Sequence, residues 1–440
     1  MKTKMLFISL AVVLVLSIGL IGCDGNGEEP VVIPPQPTEV VIGMSKSETG
    51  PLADIHWAAA YPIVGVFEQK IDAAGGILLK EYGATFKVPV NTITYDDASD
   101  VGTMLENTAK LITVDKVDFL WGATGTAMIT AQAYAANTYK TVLMTMEGGA
   151  THLKDEGKLD QWPYVFVTLS FSDWNQLPVL ADLLAANTSC ESAYIAYIDD
   201  EHGLEYKETA ETEFARVGID VLGTFPMAAD FTAFDSVIAA ANATGADLFC
   251  GFTYPFHVMP LTGTSMAMGY NPDAMIFGPG ANFGFYALSY TAVTLGDLVE
   301  GVMCFAVAND ETSGEFEALF DDLEAFMDIF GAGLPEPLPG YYFLDWWGQP
   351  LYWAMTEMWQ QAVEEVGYVS QTQLKSVLGS KDADDPFDTI LGPTWYTMFG
   401  TGGGILAHEC HPGQIGQWQS GICEIIGGNQ TTADIIYPKP

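Results

Sequence analysis

The stretch VDFLWGATGTAMITAQAYAANTYKTVLMT, residues 117–145, contains one complete strand–helix–strand unit. Val117–Trp121 is an apolar run of strand length, and the turn that follows it is rich in glycine and threonine. Ala127–Tyr139 has the length and composition of a helix, and Thr141–Thr145 is a second apolar run. Two such runs joined by a helix favour parallel pairing, because a parallel connection needs a crossover that is usually helical. The stretch therefore predicts an α/β fold.

The same alternation of strand and helix patterns extends to both sides of this unit. Upstream, the predicted strands are 39–44 and 86–95, and the predicted helices are about 55–74 and the segment capped by Ser99-Asp100. Beyond Pro163, the predicted strands are 193–198, 220–225, 247–250 and 275–277, and the predicted helices are 177–184, 205–217 and 234–243. Two such series predict two lobes, each a mostly parallel sheet flanked by helices. Ligands of such folds bind at the carboxyl ends of strands, so we expect a site in the cleft between the lobes.

A series of short motifs runs in order from about residue 40 to residue 440. It includes Gly50-Pro-Leu52, Ala73-Ala-Gly-Gly-Ile77, Tyr95-Asp-Asp97, Gly122-Ala-Thr-Gly-Thr126, Asp199-Asp-x-x-Gly203, Gly278-Pro279 and Gln417-Trp-Gln419. In this order the motifs resemble the type I periplasmic binding proteins, in particular the branch that binds branched-chain amino acids and amides. The resemblance implies a two-lobed fold with a hinge between the lobes. It also implies one ligand-binding lobe from residues 39–168 and about 305–404, and a second from 169–304 and about 405–440.

The function that this resemblance implies is solute capture for an ABC transporter. Such a protein binds a small polar or amphipathic solute, such as an amino acid or amide, and delivers it to the permease and its ATPase subunits. The alternative is a ligand-sensing receptor of the same fold that acts through a separate signalling partner. A secreted hydrolase is a third class, but we expect no enzyme and no cofactor, because the sequence has neither a Gly-x-Ser-x-Gly motif nor a Walker glycine loop. We also expect no metal at His408-Glu-Cys-His411, because Pro412 interrupts the helix that this spacing needs.

The N-terminus has the pattern of a lipoprotein signal peptide. Lys2 and Lys4 precede an apolar run that ends at Leu20-Ile-Gly-Cys23. This ending resembles a bacterial lipobox, which implies a signal peptide over 1–22, acylation of Cys23 and an extracytoplasmic protein anchored to the cell membrane by lipid. An uncleaved membrane anchor is the alternative. Residues 23–38 are acidic and rich in proline, which predicts an extended tether.

The charge and cysteine content restrict the partners further. The chain has 16 basic and 56 acidic residues, a formal net charge of −40. Phosphate backbones would repel such a chain, so we expect no nucleic-acid partner. Besides Cys23 there are five cysteines, which in an oxidising compartment allow at most two disulfides, whose pairing the sequence leaves open. They are Cys190, Cys250, Cys304, Cys410 and Cys423.

The resemblance also selects candidate ligand-binding residues in the first lobe. Thr126, with Thr124 beside it, falls where the family holds an anionic group at a strand-to-helix turn, and the free N–H groups of a helix start suit that role. A turn that only caps its helix is the alternative. The next contact falls at Glu147-Gly148-Gly149, where Glu147 either faces the cleft and meets a ligand cation or faces water as a surface acid.

The second lobe departs from the family pattern. His202 stands where an aromatic residue commonly packs on the ligand, and Gly280 where an acid commonly contacts an ammonium group. The missing acid argues against a standard α-amino acid unless Glu147 replaces it, because an unpaired buried charge is costly. Tyr254 is a candidate cleft wall. The aromatic run Tyr341–Trp347 is expected to pack in the core, or alternatively to line an apolar pocket together with Trp57.

Overall fold

The computed structural model describes residues 33–148, 151–155, 157–169, 172–286, 299–331, 340–411 and 413–440. Its strands are β1 Val40–Lys46, β2 Ile77–Leu78, β3 Lys87–Val88, β4 Val90–Asp96, β5 Phe119–Trp121, β6 Leu143–Thr145, β7 Val165–Val167, β8 Ser192–Ile198, β9 Asp220–Met227, β10 Leu248–Phe252, β11 Ala274–Gly278, β12 Val302–Phe305, β13 Phe387–Thr389, β14 Gly392–Thr394, β15 Tyr396–Met398, β16 Gly404–Leu406, β17 Ile415–Gln419 and β18 Ile422–Gly427. Its α-helices are α1 Ala53–Ile55, α2 Tyr61–Ala73, α3 Val101–Lys110, α4 Thr126–Tyr139, α5 Thr151–Asp155, α6 Leu177–Asn187, α7 Glu201–Val217, α8 Phe234–Thr244, α9 Pro255–Met268, α10 Gly314–Gly331, α11 Gly348–Val366 and α12 Gln371–Ser380. The predicted signal peptide, Cys23 and Gly149 lie outside the described residues, as does most of the predicted tether.

The first sheet is built around the unit on which the sequence analysis began. Its strand order is β15-β16-β7-β6-β5-β1-β4. The pairs from β4 through to β16 are parallel, and β15 joins β16 in antiparallel fashion. Strands β5 and β6 are fully buried, as expected for a sheet that helices cover on both faces. The predicted parallel sheet of the first series is confirmed.

The second sheet has the same plan. Its order is β18-β17-β12-β11-β10-β8-β9, with β9 through β12 parallel and β17 and β18 antiparallel at one side. Strands β10, β11 and β12 are buried along their whole length. Two mostly parallel sheets with flanking helices confirm the predicted fold class.

The connections between the two sheets determine where a hinge can act. The chain leaves the first sheet after β7, returns to it from β12 through α10, α11 and α12, and leaves it again after β16. Three connections therefore join the sheets, and motion of one sheet relative to the other is confined to these segments. The residue boundaries that the sequence analysis assigns to the two lobes stay predictions.

Capping side chains fix the starts of two helices near the carboxyl ends of strands. Asp100 accepts a hydrogen bond of 2.8 Å from the backbone N–H of Thr103 at the start of α3, as the sequence predicts. Asp200 accepts one of 3.0 Å from the backbone N–H of Gly203 at the start of α7. These caps satisfy N–H groups that the helix leaves without partners, and so hold the loops after β4 and β8 in place.

The five cysteines of the described chain are buried free thiols. The Sγ atoms of Cys304 and Cys423 are 3.6 Å apart, reaching past Gly416 on the strand between them. Because β17 separates β12 from β18, their backbones lie about 9–10 Å apart, beyond the span of a disulfide. Within the described ranges, no helix combines the length and apolar character needed to cross a membrane.

Candidate functional site

A cavity lies where the carboxyl ends of strands from both sheets meet. Its empty volume, which includes space open to solvent, is about 440 Å³. Its lining residues come from α1 and the helical turn after it, from the ends of β6, β7 and β11, and from the starts of α4, α7, α9 and α11. They are Ile55, Ala59, Thr126, Met146, Glu147, Gly148, Leu169, His202, Tyr254, Pro279, Asn282, Phe283, Asp345, Trp347 and Gly348.

The start of α4 contributes Thr126, the first residue of the helix, which is buried. Gly148 lies against it, because a Cβ added at Gly148 would be 3.1 Å from the Thr126 nitrogen and 2.7 Å from the Ile129 side chain. Hydrogen bonds join the backbone and side chain of Thr126 to the hydroxyl of Tyr254, which belongs to the half of the protein built on the second sheet. The helix start that suits an anion is thus contacted by the protein's own phenol.

His202 and Tyr254 form one wall of the cavity. Their rings stack with centroids 4.7 Å apart and planes inclined by 20°, and the Tyr206 ring is tilted against that of His202 at a centroid distance of 4.8 Å. Burial lowers the pKa of His202, so the imidazole is neutral near pH 7. Its Nε2 has no hydrogen-bond partner among the described residues, which leaves one polar atom in an otherwise aromatic wall.

A buried ion pair lies next to the cavity. Lys46 Nζ is 2.9 Å from Glu147 Oε2, and the side chains are 0% and 1% exposed. Thr124 donates a hydrogen bond of 2.7 Å to the same oxygen, and Nζ lies 5.1 Å from the centre of the Tyr352 ring. Burial lowers the pKa of Lys46 and raises that of Glu147, while their mutual attraction opposes both shifts. Of the two alternatives considered from the sequence, Glu147 is therefore not a surface acid: it lies in the cavity lining, with its charge paired to Lys46.

A second carboxylate, Asp345, enters the cavity from the connection that leads back to the first sheet. It is 2% exposed, and its Oδ1 accepts hydrogen bonds from Asn282 Nδ2 at 2.6 Å and from the backbone N–H groups of Trp347 at 3.0 Å and Gly348 at 2.9 Å. Burial raises the pKa of Asp345 to about 7, and the nearby Glu147 carboxylate adds to this shift. The side chain is therefore poised to gain or lose a proton in the physiological range.

The raised pKa of Asp345 leads to a test by pH. A group whose pKa is higher in the folded chain holds its proton there when the unfolded chain has released it, so its contribution to the free energy of unfolding falls as pH rises from about 4 to about 7. We expect the Asp345→Asn variant to lack this decline. Urea denaturation of both proteins at several pH values between about 4 and 8 measures it, and parallel curves would contradict the assignment.

Gly280 explains why the second lobe lacks the acid that the family pattern places there. Its φ is +139°, and an added Cβ would lie 2.9 Å from the Val258 Cβ and 3.2 Å from the Pro255 Cα. Its backbone N–H donates to Asn282 Oδ1 at 2.7 Å. Any side chain would collide with the start of α9, so this position has no room for a carboxylate.

The structure brings together five of the predicted site residues and separates others. Thr126, Glu147, Gly148, His202 and Tyr254 line the cavity.

Thr124 acts behind Glu147, whereas Gly280 lies outside the lining. Trp57 also lies outside the lining and donates from Nε1 to the Glu48 carbonyl at 3.0 Å.

Sequence reasoning missed Lys46 and Asp345, although a carboxylate inside the aromatic run Tyr341–Trp347 was the signal for Asp345.

A second opening of about 920 Å³ lies against α2 and α10. Glu48, Glu68, Asp72, Tyr61 and Phe326 are among the residues that line it. Its lining residues belong to β1, the loop after β1, β4 and the helical segments that pack beside them, so a motion between the two sheets would not open or close it. The cavity between the sheets is the stronger candidate for a site.

Comparisons with known proteins agree with this architecture. The profile of a family described as periplasmic binding protein matches residues 39–420. A leucine-binding protein of Thermotoga maritima is 13% identical, with a TM-score of 0.65, over 89% of this chain and 98% of its own.

Two further solved structures are similar. A branched-chain amino acid transporter substrate-binding protein of Streptococcus pneumoniae, in complex with isoleucine, is 16% identical with a TM-score of 0.67, over 91% of this chain and 99% of its own. A solute-binding protein of an ABC transporter from Rhodopseudomonas palustris, in complex with 3,4-dihydroxybenzoic acid, is 15% identical with a TM-score of 0.68, over 91% and 99%. At these identities the structures share the fold with this chain.

Proposed function

The chain belongs to the periplasmic binding protein family, and from that premise we propose that it is the extracytoplasmic solute-binding protein of an ABC transporter. Its solute is a small polar or amphipathic compound such as an amino acid, an amide or a related molecule. Its partners are the permease and the ATPase subunits of that transporter. Solute-binding proteins of ABC transporters are among its structural relatives, which supports this assignment.

The observation that carries the proposal is the shared lining of the cavity. Thr126 and Glu147 come from the first-sheet half, His202 and Tyr254 from the second, and Asp345 from a connection between them. A solute that touches both halves gains contacts only when they are closed, so it shifts the population towards the closed arrangement. A permease then distinguishes the loaded from the empty protein by the closure.

We assign direct solute contacts to Thr126, Gly148, His202 and Tyr254. Thr126 and Tyr254 supply hydroxyl groups, Gly148 permits a close backbone approach, and His202 offers its ring face and Nε2. Glu147, supported by Thr124, adds its charge. Contacts from Gly149, Gly280 and Trp57 stay predictions.

We also propose that acylation of Cys23 anchors the protein to the membrane. The predicted tether 23–38 would then separate the binding lobes from the lipid surface. This part of the proposal rests on the lipobox-like sequence alone.

A thermal-shift screen against amino acids, amides, aromatic acids and small amines tests the proposal. A solute at a hundredfold excess over its Kd stabilises the folded chain by about 2.7 kcal/mol and raises Tm. We expect a hit that also lowers the radius of gyration in X-ray scattering, because the halves close. Thr126→Ala should weaken the hit, and Thr138→Ala, on the exposed side of the same helix, should leave it unchanged. No shift across the panel, together with an unchanged radius of gyration, would contradict solute binding.

A further inference from the structure

The unused hydrogen-bonding capacity in the cavity is mostly that of an acceptor. The three hydrogen bonds that the described residues donate to the Asp345 carboxylate all go to Oδ1, and the residue is 2% exposed. Glu147 Oε1 has no hydrogen-bond partner among the described residues. Buried carboxylate oxygens are normally paired, so Glu147 Oε1 calls for a donor from a bound molecule.

The charges around the cavity are unbalanced in the same direction. Among the described residues, the lining contains two carboxylates, Glu147 and Asp345, and no lysine or arginine. The adjacent cation is Lys46, and it is paired with Glu147 at 2.9 Å. In the described part of the chain, Asp345 has hydrogen-bond donors but no ion-pair partner, so its negative charge is uncompensated when it is ionised.

The groups that would receive a carboxylate are already engaged. The backbone and side chain of Thr126 at the start of α4 are hydrogen-bonded to the Tyr254 hydroxyl. A ligand carboxylate at this point would have to displace that phenol and would lie beside Glu147. Like charges in a low-dielectric site repel strongly, so an anion is disfavoured here.

The remaining walls favour an apolar body. Ile55, Ala59, Met146, Leu169 and Phe283 line the cavity between its polar points. A ligand with a compact hydrocarbon part is able to bury it against these side chains, which contributes about 25 cal/mol for each Å² removed from water.

We propose that the solute is a small organic cation, an ammonium group on a compact apolar body without a carboxylate, and that Asp345 is the residue that selects it. The ammonium donates to Asp345 and supplies the positive charge that its carboxylate lacks. Asp345 takes the part of the acid for which Gly280 leaves no room. This inference rests on the proposed function, because it assigns the solute class of the same cavity.

Three probes with the same branched hydrocarbon body test separately how the ammonium group and the carboxylate of a ligand affect its binding. Leucine carries both charges, 3-methylbutylamine is leucine without the carboxylate, and 4-methylpentanoate is leucine without the ammonium. Isothermal titration of the purified full chain at about pH 8, where Asp345 is ionised, is expected to show binding of the amine at least about tenfold tighter than that of leucine, and no binding of the acid.

Single-residue variants test which side chain is responsible for this selectivity. Asp345→Asn is expected to weaken amine binding by about 10- to 100-fold, because a hydrogen bond to a charged group is lost. Asp384→Asn, which removes an exposed acid outside the cavity, is the matched control and should leave amine binding unchanged. Tyr254→Phe removes the hydroxyl that engages Thr126 and should move the preference towards leucine. This last variant keeps the test informative if Asp345→Asn does not fold.

The outcomes separate this inference from the proposed function. Tighter binding of leucine or of 4-methylpentanoate than of the amine would overturn the selection of a cation and support a solute-binding protein of another specificity. Binding of none of the three probes would also overturn it, and the broader screen with scattering would then decide the proposed function by itself.

Discussion

Glu147→Gln is expected to lower the free energy of unfolding by about 3–5 kcal/mol, because it leaves a buried ammonium without its counter-charge. Lys46 has 0% side-chain exposure, and Glu147 is its ion-pair partner at 2.9 Å. The variant side chain has nearly the same volume and still offers an oxygen to Thr124, so the change is mainly one of charge. Urea denaturation followed by tryptophan fluorescence measures the loss.

The double variant Lys46→Met/Glu147→Gln is the control that separates charge from packing. Replacing both members of a buried pair removes the uncompensated charge, so we expect the double variant to regain most of the lost stability. A double variant as unstable as Glu147→Gln alone would show that packing around Glu147, and not the pairing, is what matters. A loss below about 1 kcal/mol in the single variant would contradict a dry, buried pair.

Much of the fold follows from local patterns in the sequence. The apolar runs at β5 and β6 and the helix between them predict parallel pairing, because strand length, helix length and turn residues agree over a short stretch. The cap at Asp100 is similarly local, since the side chain and the N–H that it accepts are three residues apart. Such features depend on neighbours in the chain, and a single sequence contains those neighbours.

The positions of the charged groups in the site cannot be predicted from local sequence patterns. Lys46 ends β1 and Glu147 follows β6, and β5 separates these two strands in the first sheet. The 100 residues between them in the chain give no sign that their side chains meet. From the sequence alone Glu147 faces either the cleft or water, whereas the fold places it in the cavity lining, buried against a cation.

Asp345 was missed for a related reason. It lies in an aromatic run that was expected to form core packing, and Trp346 and Trp347 are indeed buried. The connection returning to the first sheet places Asp345 beside Asn282, 63 residues away in the chain. These two segments are distant in the chain and meet only in the fold, and their meeting places the carboxylate in the cavity.

The absence of a side chain at Gly203 determines how closely α7 packs against β8. A Cβ added at Gly203 would be 1.9 Å from the Ile198 carbonyl oxygen and 2.8 Å from the Ile198 nitrogen. Both atoms belong to the backbone of a central strand, so no side-chain rotation relieves the contact. We expect Gly203→Ala to lower the free energy of unfolding by about 3 kcal/mol, the upper part of the range for overpacked sites.

The same substitution at Gly314 is the matched control. This residue begins α10, and an added Cβ there meets no atom of the described residues within 4 Å. Gly314→Ala should therefore change the free energy of unfolding by less than about 1 kcal/mol. Urea denaturation followed by circular dichroism compares the two variants, and equal curves would contradict the close packing of α7.

Because His202 precedes Gly203 in the same turn of helix and lines the cavity, displacement of α7 should also weaken solute binding in any Gly203→Ala protein that remains folded. Loss of stability with unchanged solute affinity would mean that the helix relaxes without moving His202.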